Sequence, residues 1–357
     1  MQATLKITEL KVPGYQRVVR GIDESAGLHA LIAVHDTTLG PALGGLRMWA
    51  YKSEEDAKFD VLRLAKGMTY KSAVAQTGLG GGKSVIIGDA RKQKSPALFR
   101  AMGELINSLG GMYITAEDVG ISVADLDQVA TSTKWVSGLE RAKGGSGNPS
   151  PYTAHGCFVG IKACLEEAYG SPSFAGKTFA IQGPGAVGFP LAQSIVESGG
   201  KIVVADVNPD NVARAKDELG ARVVDPDKIF DASCEVFVPC ALGAILDDDT
   251  IPRLRAKIVA GCANNQLREP RHAQALKDRG ILYAPDYVIN AGGIINVSCE
   301  FAPGGYHEAL AMPKIDNIYN ALKEVFATAR TRNITTAAAA DEVAERRLAE
   351  GKKARTR

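Results

Sequence analysis

Apolar and polar positions alternate along this chain with two different periods, and the changes of period mark its elements. Residues 29–35, "HALIAVH", form a continuous apolar run of strand length. In residues 54–67, "EEDAKFDVLRLAKG", Val61, Leu62, Leu64 and Ala65 make the apolar stripe of a helix. Ser53 is placed to cap its start and Gly67 to end it. "KSAVAQ" and "KSVIIGD" then read as strands on either side of a glycine-rich turn, Gly80-Gly81-Gly82. "SPALFRAMGELINSL" opens with serine and then proline, the pairing favoured where a helix begins. "MYITAEDVG" reads as a short strand running into a polar loop. Strand and helix thus alternate over residues 1–145.

Residues 144–151, "GGSGNPSP", have the composition of a linker. Beyond them "TAHGCFVGIKACLEEAYG" reads as a helix closed by its terminal glycine. The strongest local signal lies at 178–206, where an apolar strand enters Gly183-x-Gly185-x-x-Gly188. A helix follows, and a second apolar strand, "KIVVAD", ends on Asp206. Further strands are expected at "EVFVPC", "AKIVAG" and "GILYAP", with helices between them. This alternation predicts a doubly wound parallel sheet. The expected fold is α/β in two domains, 1–145 and 146–330, followed by a C-terminal helical segment, 331–357.

Composition narrows the class. A length of 357 residues favours two domains. An apolar content of 45% and a charged content of 23% are those of a globular protein. A net charge of +2 gives no electrostatic case for nucleic acid or a membrane surface. No apolar run approaches a membrane span, and the N-terminus lacks the apolar core of a signal peptide, so a cytoplasmic protein is expected. The cysteines, 157, 164, 234, 240, 262 and 299, form no C-x-x-C pair and lie in apolar segments, so reduced thiols are expected. The histidines show no ligand spacing, and no metal is expected.

Two motifs carry candidate chemistry. Gly183, Gly185 and Gly188, with Ala186 and Val187 between them, stand after a strand and before a helix, the setting in which glycines let a backbone approach a pyrophosphate. Asp206 at the next strand's tip can accept hydrogen bonds from a ribose diol and repels a 2′-phosphate, and no arginine occurs in Val207-Asn208-Pro209. NAD, rather than NADP, is the expected cofactor; a merely structural βαβ turn is the alternative. The second motif is "GMTYKSAVAQTGLGGGKSV". Its end fits a phosphate-binding G-x-x-x-x-G-K-[ST] loop, but the first glycine of that pattern falls on Thr77. Lys71 and Lys83 therefore need another role. A lysine in a partly dry cleft can act as a general base, and one that stays charged can hold a carboxylate. Asp118, in "AEDVG", is the third candidate group.

The blocks "AVHDTTLGPALGGLRMW", "DVLRLAKGMTYK", "GGGKSVIIGD", "YITAEDVG", "GNPSPYTAHG", "PCALGA", "AGCANNQL" and "ILYAPDYVINAGGIINV" run in order almost end to end. Through them the chain resembles the Glu/Leu/Phe/Val amino-acid dehydrogenases. The resemblance implies an N-terminal substrate-binding and catalytic domain, a C-terminal Rossmann-type NAD domain, and a C-terminal helix packing back on the first. It implies reversible oxidative deamination of an L-amino acid to a 2-oxo acid and ammonia. Lys71 then matches the lysine that binds the substrate carboxylate, Lys83 the lysine that activates water, and Asp118 the aspartate that handles protons. Gly44, Gly45 and Met68 line the substrate cleft, and the glycines beside Lys83 are read as letting substrate and cofactor approach. Asn264 lies near nicotinamide and substrate, and Thr153, Asp206, Cys240 and Ala241 match cofactor-contacting positions. Leu43, Ala116, Ile294 and Val297 surround the substrate side chain, which implies an aliphatic branched-chain substrate, with phenylalanine or tryptophan as the alternative. Relatives form dimers to octamers, so a homo-oligomer is implied. The chain departs from the family pattern at Leu46, where threonine is usual, and at Pro184. An NAD-binding sensor or an NAD-dependent lyase on the same fold would be the readings from other classes. A sensor would be expected to lose Lys83 or Asp118, and both are present.

Overall fold

The computed structural model describes residues 5–355. The chain divides into two compact units: Met1–Asn148 with Val297–His307 and Ala344–Arg357, and Pro149–Asn296 with Glu308–Val343. The first crossing falls at 148/149, three residues past the expected boundary. Val297–His307, expected within the second domain, lies with the first unit.

The first unit is built on β1 (Lys6–Glu9), β2 (Arg17–Asp23), β3 (Leu28–Asp36), β4 (Ala42–Trp49), α1 (Glu54–Val74), β5 (Gly80–Ile87), α2 (Pro96–Asn107), β6 (Tyr113–Glu117) and α3 (Val123–Ala130). Its mixed sheet has the order β1-β2-β3-β5-β4-β6. β4 pairs in parallel with both β5 and β6, and β3 pairs antiparallel with β5. One face packs Leu31, Ala33 and Val85 against Ala57, Val61 and Ala65 of α1. The other packs Ile32, Leu46 and Ile86 against Leu98 and Met102 of α2 and Leu126 and Val129 of α3. The caps are those the sequence supplies: Ser53 accepts from the Asp56 N–H and Ser95 from the Leu98 N–H, with Pro96 in the first turn.

α1 differs from its expected form. It runs through Gly67 to Val74, so "KSAV" is helix, not strand. Gly67 is exposed with open space where a Cβ would sit, and a lone glycine weakens a helix without ending it. The expected glycine-rich turn is instead the first half of β5, whose burial is complete from Gly80 to Ile86.

The second unit contains α4 (Ser150–Tyr169), β7 (Thr178–Gln182), α5 (Gly188–Glu197), β8 (Lys201–Ala205), α6 (Pro209–Leu219), β9 (Arg222–Val223), β10 (Val236–Pro239), β11 (Ile258–Val259), α7 (His272–Asp278), β12 (Leu282–Tyr283), α8 (Asp286–Ile289), most of α9 (Gly292–Ser298), α10 (Glu308–Asp316), α11 (Ile318–Arg332) and the start of α12 (Thr336–Arg355). All pairs in its sheet, β12-β11-β10-β7-β8-β9, are parallel. The chain winds outward from β7 through β8 and β9, then returns to the other side of β7 with β10. The ends of β7 and β10 therefore flank a topological switch point, where open parallel sheets form their ligand crevice. Gly170, in the left-handed region at φ 70°, closes α4.

The C-terminal segment expected at 331–357 is α12, which begins at Thr336 because α11 extends to Arg332. From Ala344 it belongs to the first unit. There Arg347 donates to the Ala73 and Val74 carbonyls at the end of α1, and the Tyr70 hydroxyl donates to Glu345 at 2.8 Å. Residues 356–357 lie outside the described residues.

Candidate active site

Lys83 stands in the middle of β5, in register with Ala33 of β3, and is 6% exposed. The three glycines before it are needed for packing. A Cβ on Gly80 would fall 2.2 Å from the Asp36 carbonyl, one on Gly81 2.0 Å from the Thr69 backbone nitrogen, and one on Gly82 2.8 Å from the Tyr113 ring. Within the first unit they make room for the Asp36 backbone, helix α1 and the Tyr113 ring. Close approach at Gly81 fixes the last turns of α1, which carry Met68 and Lys71, both half-buried.

Asp118 follows β6 and reaches Lys83, with its Oδ2 2.5 Å from the Lys83 Nζ. Gly45 makes this possible. It is in register with Ala116, and a Cβ there would fall 2.7 Å from the Asp118 Cβ. A Cβ on Gly44 would sit 1.8 Å from the Gly82 carbonyl and 3.4 Å from Met68. The Gly44 carbonyl accepts from the Tyr113 hydroxyl at 2.5 Å. Leu43 pairs with Ile114 of β6 and is 2% exposed. Leu43, Gly44, Gly45, Met68, Lys71, Lys83 and Ala116 thus come from β4, β5, β6 and the end of α1, and Asp118 from the residue directly after β6. Leu46, the departure from the family pattern, lies in the core on the α2 side.

The electrostatics of the pair are asymmetric. Burial lowers the Lys83 pKa and outweighs the Asp118 charge that raises it; Arg47 lowers it further. Burial pushes Asp118 up, but the Lys83 and Arg47 cations bring it below the usual carboxylate range. Arg47 was not singled out from the sequence. Its Nε lies 3.1 Å from the Asp118 Oδ2 and its Nη1 2.9 Å from the Asp60 Oδ2. Asp60, 8% exposed on α1, also accepts from the Tyr51 hydroxyl at 2.6 Å and pairs with Arg63 at 2.6 Å. The available signal was an arginine inside an otherwise apolar strand, "ALGGLRMW", since a charge so placed is buried only when paired.

In the second unit, Gly183 has φ 89°, and a Cβ there would fall 2.7 Å from that of Ala241. One on Gly188 would fall 2.1 Å from the Gly183 carbonyl and 3.1 Å from the Cys240 Cβ. Gly185, Ala186 and Val187 complete the turn into α5, whose N-terminus has no side-chain cap. The loop after β7 and the Cys240-Ala241 segment after β10 therefore meet at the switch point, in front of uncapped helix N–H groups suited to a phosphate. Asp206 follows β8, its carboxylate fixed by the Asn208 N–H and the Asn211 amide, each at 2.9 Å. The Asn264 side chain accepts from Asn290 at 2.7 Å. The Thr153 hydroxyl donates to the Pro149 carbonyl at 3.1 Å, and a Cβ on Gly293 would fall 2.8 Å from it. Ile294 and Val297 are buried on α9. None of the six cysteines is in a disulfide bond. Among the described residues no His, Cys, Asp and Glu cluster could hold a metal, and no helix is long and apolar enough to cross a membrane.

Residues 16–135 match the profile described as Glu/Leu/Phe/Val dehydrogenase, dimerisation domain. Residues 144–209 and 204–356 match that of Glutamate/Leucine/Phenylalanine/Valine dehydrogenase. The chain belongs to the Glu/Leu/Phe/Val dehydrogenase family. It is 54% identical over 342 residues to a leucine dehydrogenase of Geobacillus stearothermophilus, covering 96% of this chain and 93% of that one. It is 52% identical over 342 residues to a leucine dehydrogenase of Thermoactinomyces intermedius, with the same coverage. Among solved structures, the L-tryptophan dehydrogenase of Nostoc punctiforme is similar with a TM-score of 0.85 and 42% identity, over 95% of this chain and 97% of that one. In this Glu/Leu/Phe/Val dehydrogenase β2 to β6 of the mixed sheet, Lys83 among them, lie in the part matched by the dimerisation-domain profile, and the parallel sheet in the part matched by the second.

Proposed function

We propose that this chain is an NAD-dependent L-amino-acid dehydrogenase that reversibly deaminates leucine, isoleucine and valine. An L-amino acid, NAD⁺ and water give the 2-oxo acid, ammonium, NADH and a proton. The observation that carries the reading is the buried Lys83–Asp118 pair at 2.5 Å, with Lys83 held below the ordinary lysine range chiefly by burial. A lysine so placed is available in its neutral form to take a proton from water, which is what addition to the C=N bond of the oxidised substrate requires. Asp118 takes a proton from the substrate ammonium, freeing the nitrogen lone pair. Lys71 holds the α-carboxylate, and Gly44, Gly45 and Met68 line the space beside it.

The second unit's residues fit a dinucleotide. A Cβ on Gly183 or Gly188 would crowd the loop in front of the α5 N-terminus, and the Asp206 carboxylate, held by the Asn208 N–H and the Asn211 amide after β8, supports a role in binding a ribose diol. Bound NAD would supply the hydride acceptor. Gly183, Gly185, Ala186, Val187 and Gly188 would hold its pyrophosphate, and Thr153, Cys240, Ala241 and Asn264 its nicotinamide end. Asp206 disfavours NADP by charge.

The substrate reading rests on Leu43, Ala116, Ile294 and Val297, none of which can bond a polar side chain. A glutamate carboxylate would find no hydrogen-bonding or charged partner in any of these four side chains, and burying one unpaired costs several kcal/mol. The most similar relatives named above, leucine dehydrogenases, support the aliphatic reading. The similarity to an L-tryptophan dehydrogenase favours an aromatic substrate as the second reading. Homo-oligomers are proposed, in keeping with the dimerisation-domain match. The test is a panel of L-amino acids with NAD⁺, ranked by kcat/KM from NADH formation. Leucine, isoleucine and valine should lead; phenylalanine or tryptophan in the lead would replace the aliphatic reading, and no NADH with any amino acid would end the dehydrogenase reading.

A further inference from the structure

We propose that Arg47 is a positioning residue of the reaction, whose guanidinium holds Asp118 as a carboxylate while Lys83 gives up and regains its proton. This rests on the reading of Lys83 as the base.

A lysine–aspartate pair is by itself a poor base. When Lys83 is neutral, Asp118 becomes a buried carboxylate without a cation, a strongly disfavoured state. The easiest escape is for Asp118 to keep the proton, which removes the carboxylate that must accept one from the substrate. A cation that never deprotonates closes that escape, and arginine is such a cation. Arg47 is placed for it. Its Nε reaches the same oxygen, Asp118 Oδ2, that Lys83 contacts. Its Nη1 reaches Asp60, which the Tyr51 hydroxyl and Arg63 hold in turn. A planar fork spans two carboxylates at once; an ammonium on a flexible stem reaches one.

The charges also balance in the needed state. With Lys83 neutral, Arg47 and Arg63 oppose Asp118 and Asp60, and the cluster sums to zero. With Lys83 protonated it carries one positive charge, partly exposed at Arg63. The groups facing Lys83 come from β4 (Arg47), α1 (Asp60) and the end of β6 (Asp118); the in-register neighbour on β3, Ala33, is uncharged. Near Asp118 stand Glu117, pushed up by burial and by the Asp118 and Asp125 charges, and Tyr113, pushed up by burial. Neither can replace a permanent cation.

The test is the pH dependence of kcat/KM for L-leucine with saturating NAD⁺, for wild type, Arg47→Gln, Arg47→Lys and Lys83→Ala. Thermal melts and NADH binding are recorded alongside. Without the guanidinium, Lys83 and Asp118 both bind protons more tightly. The rising limb of Arg47→Gln should therefore move to higher pH by about one unit, the low end for a neighbouring charge. Arg47→Lys should fall between it and wild type. A wild-type limb in Arg47→Gln, at any plateau height, would overturn the proposal. If Arg47→Gln does not fold, Arg47→Lys decides: a limb displaced to higher pH supports the proposal and an undisplaced one overturns it. Lys83→Ala separates the two readings. Retained activity there removes the base itself, whereas lost activity there with unmoved limbs in the Arg47 variants removes only the role of Arg47.

Discussion

Two opposed effects set the proton affinity of Lys83: burial lowers it, and the Asp118 carboxylate 2.5 Å away raises it. The net direction is down, so the neutral form appears at lower pH than for a free lysine. Because the base must be neutral, kcat/KM for the amino acid should rise with pH along a limb below the ordinary lysine value of 10.5. Asp118→Asn removes the largest upward contribution, so its residual activity should show that limb displaced to lower pH. Displacement to higher pH would contradict the account of the pair. Lys71→Ala should act differently, raising KM for amino acid and 2-oxo acid more than it lowers kcat, as expected for a lost carboxylate partner. Lys83 beside an apolar run and Asp118 at the end of a short strand were legible as candidates, and the family resemblance implied their roles, but their contact is set by the fold. The role of Arg47 was not legible, since its partners, Asp60 and Asp118, are brought to it only by the packing of α1 and the pairing of β6 with β4.

Helix α1 and strand β5 show where local reading of a sequence fails. Gly67 and Gly81 look alike as letters. Gly67 lies on an exposed helical turn with open space around it, while a Cβ on Gly81 would fall 2.0 Å from the backbone of α1. Gly67→Ala should therefore stabilise the protein by about 0.5–1 kcal/mol through helix propensity. Gly81→Ala should destabilise it by roughly 1–3 kcal/mol, as overpacking does. Urea denaturation of the two variants reads both signs, and a neutral Gly81→Ala would refute the close-packing reading of the glycine run. The βαβ unit at 178–206 was legible because each of its cues is local: apolar strand, glycine turn, helix, acid-tipped strand. β4 carries two glycines and an arginine, and it becomes a strand only because β5 and β6, distant in sequence, pair with it on either side.

At the scale of the whole molecule, the alternating pattern fixed two α/β sheets, but not the order of the mixed one, which depends on long-range pairing. Nor did it show that Val297–His307 joins the first unit; that the end of α12 does so was implied by the family resemblance. Cofactor choice is a property of the second unit: Asp206 predicts NAD⁺ ahead of NADP⁺ in kcat/KM, and faster turnover with NADP⁺ at equal subsaturating concentrations would show that reading to be wrong. Leu43→Ala should move preference toward phenylalanine, by on the order of the 1–3 kcal/mol that an apolar pocket can discriminate. The central claim is that a base in the first unit and a cofactor in the second are separable parts of one dehydrogenase. Its most direct test is the rate of NADH formation from L-leucine and NAD⁺ by Lys83→Ala, beside the affinity of the same variant for NADH. The account predicts a loss on the order of 10²–10⁴-fold in rate with NADH affinity unchanged. A Lys83→Ala enzyme that keeps most of the wild-type rate, or that loses rate and NADH binding together, would contradict it.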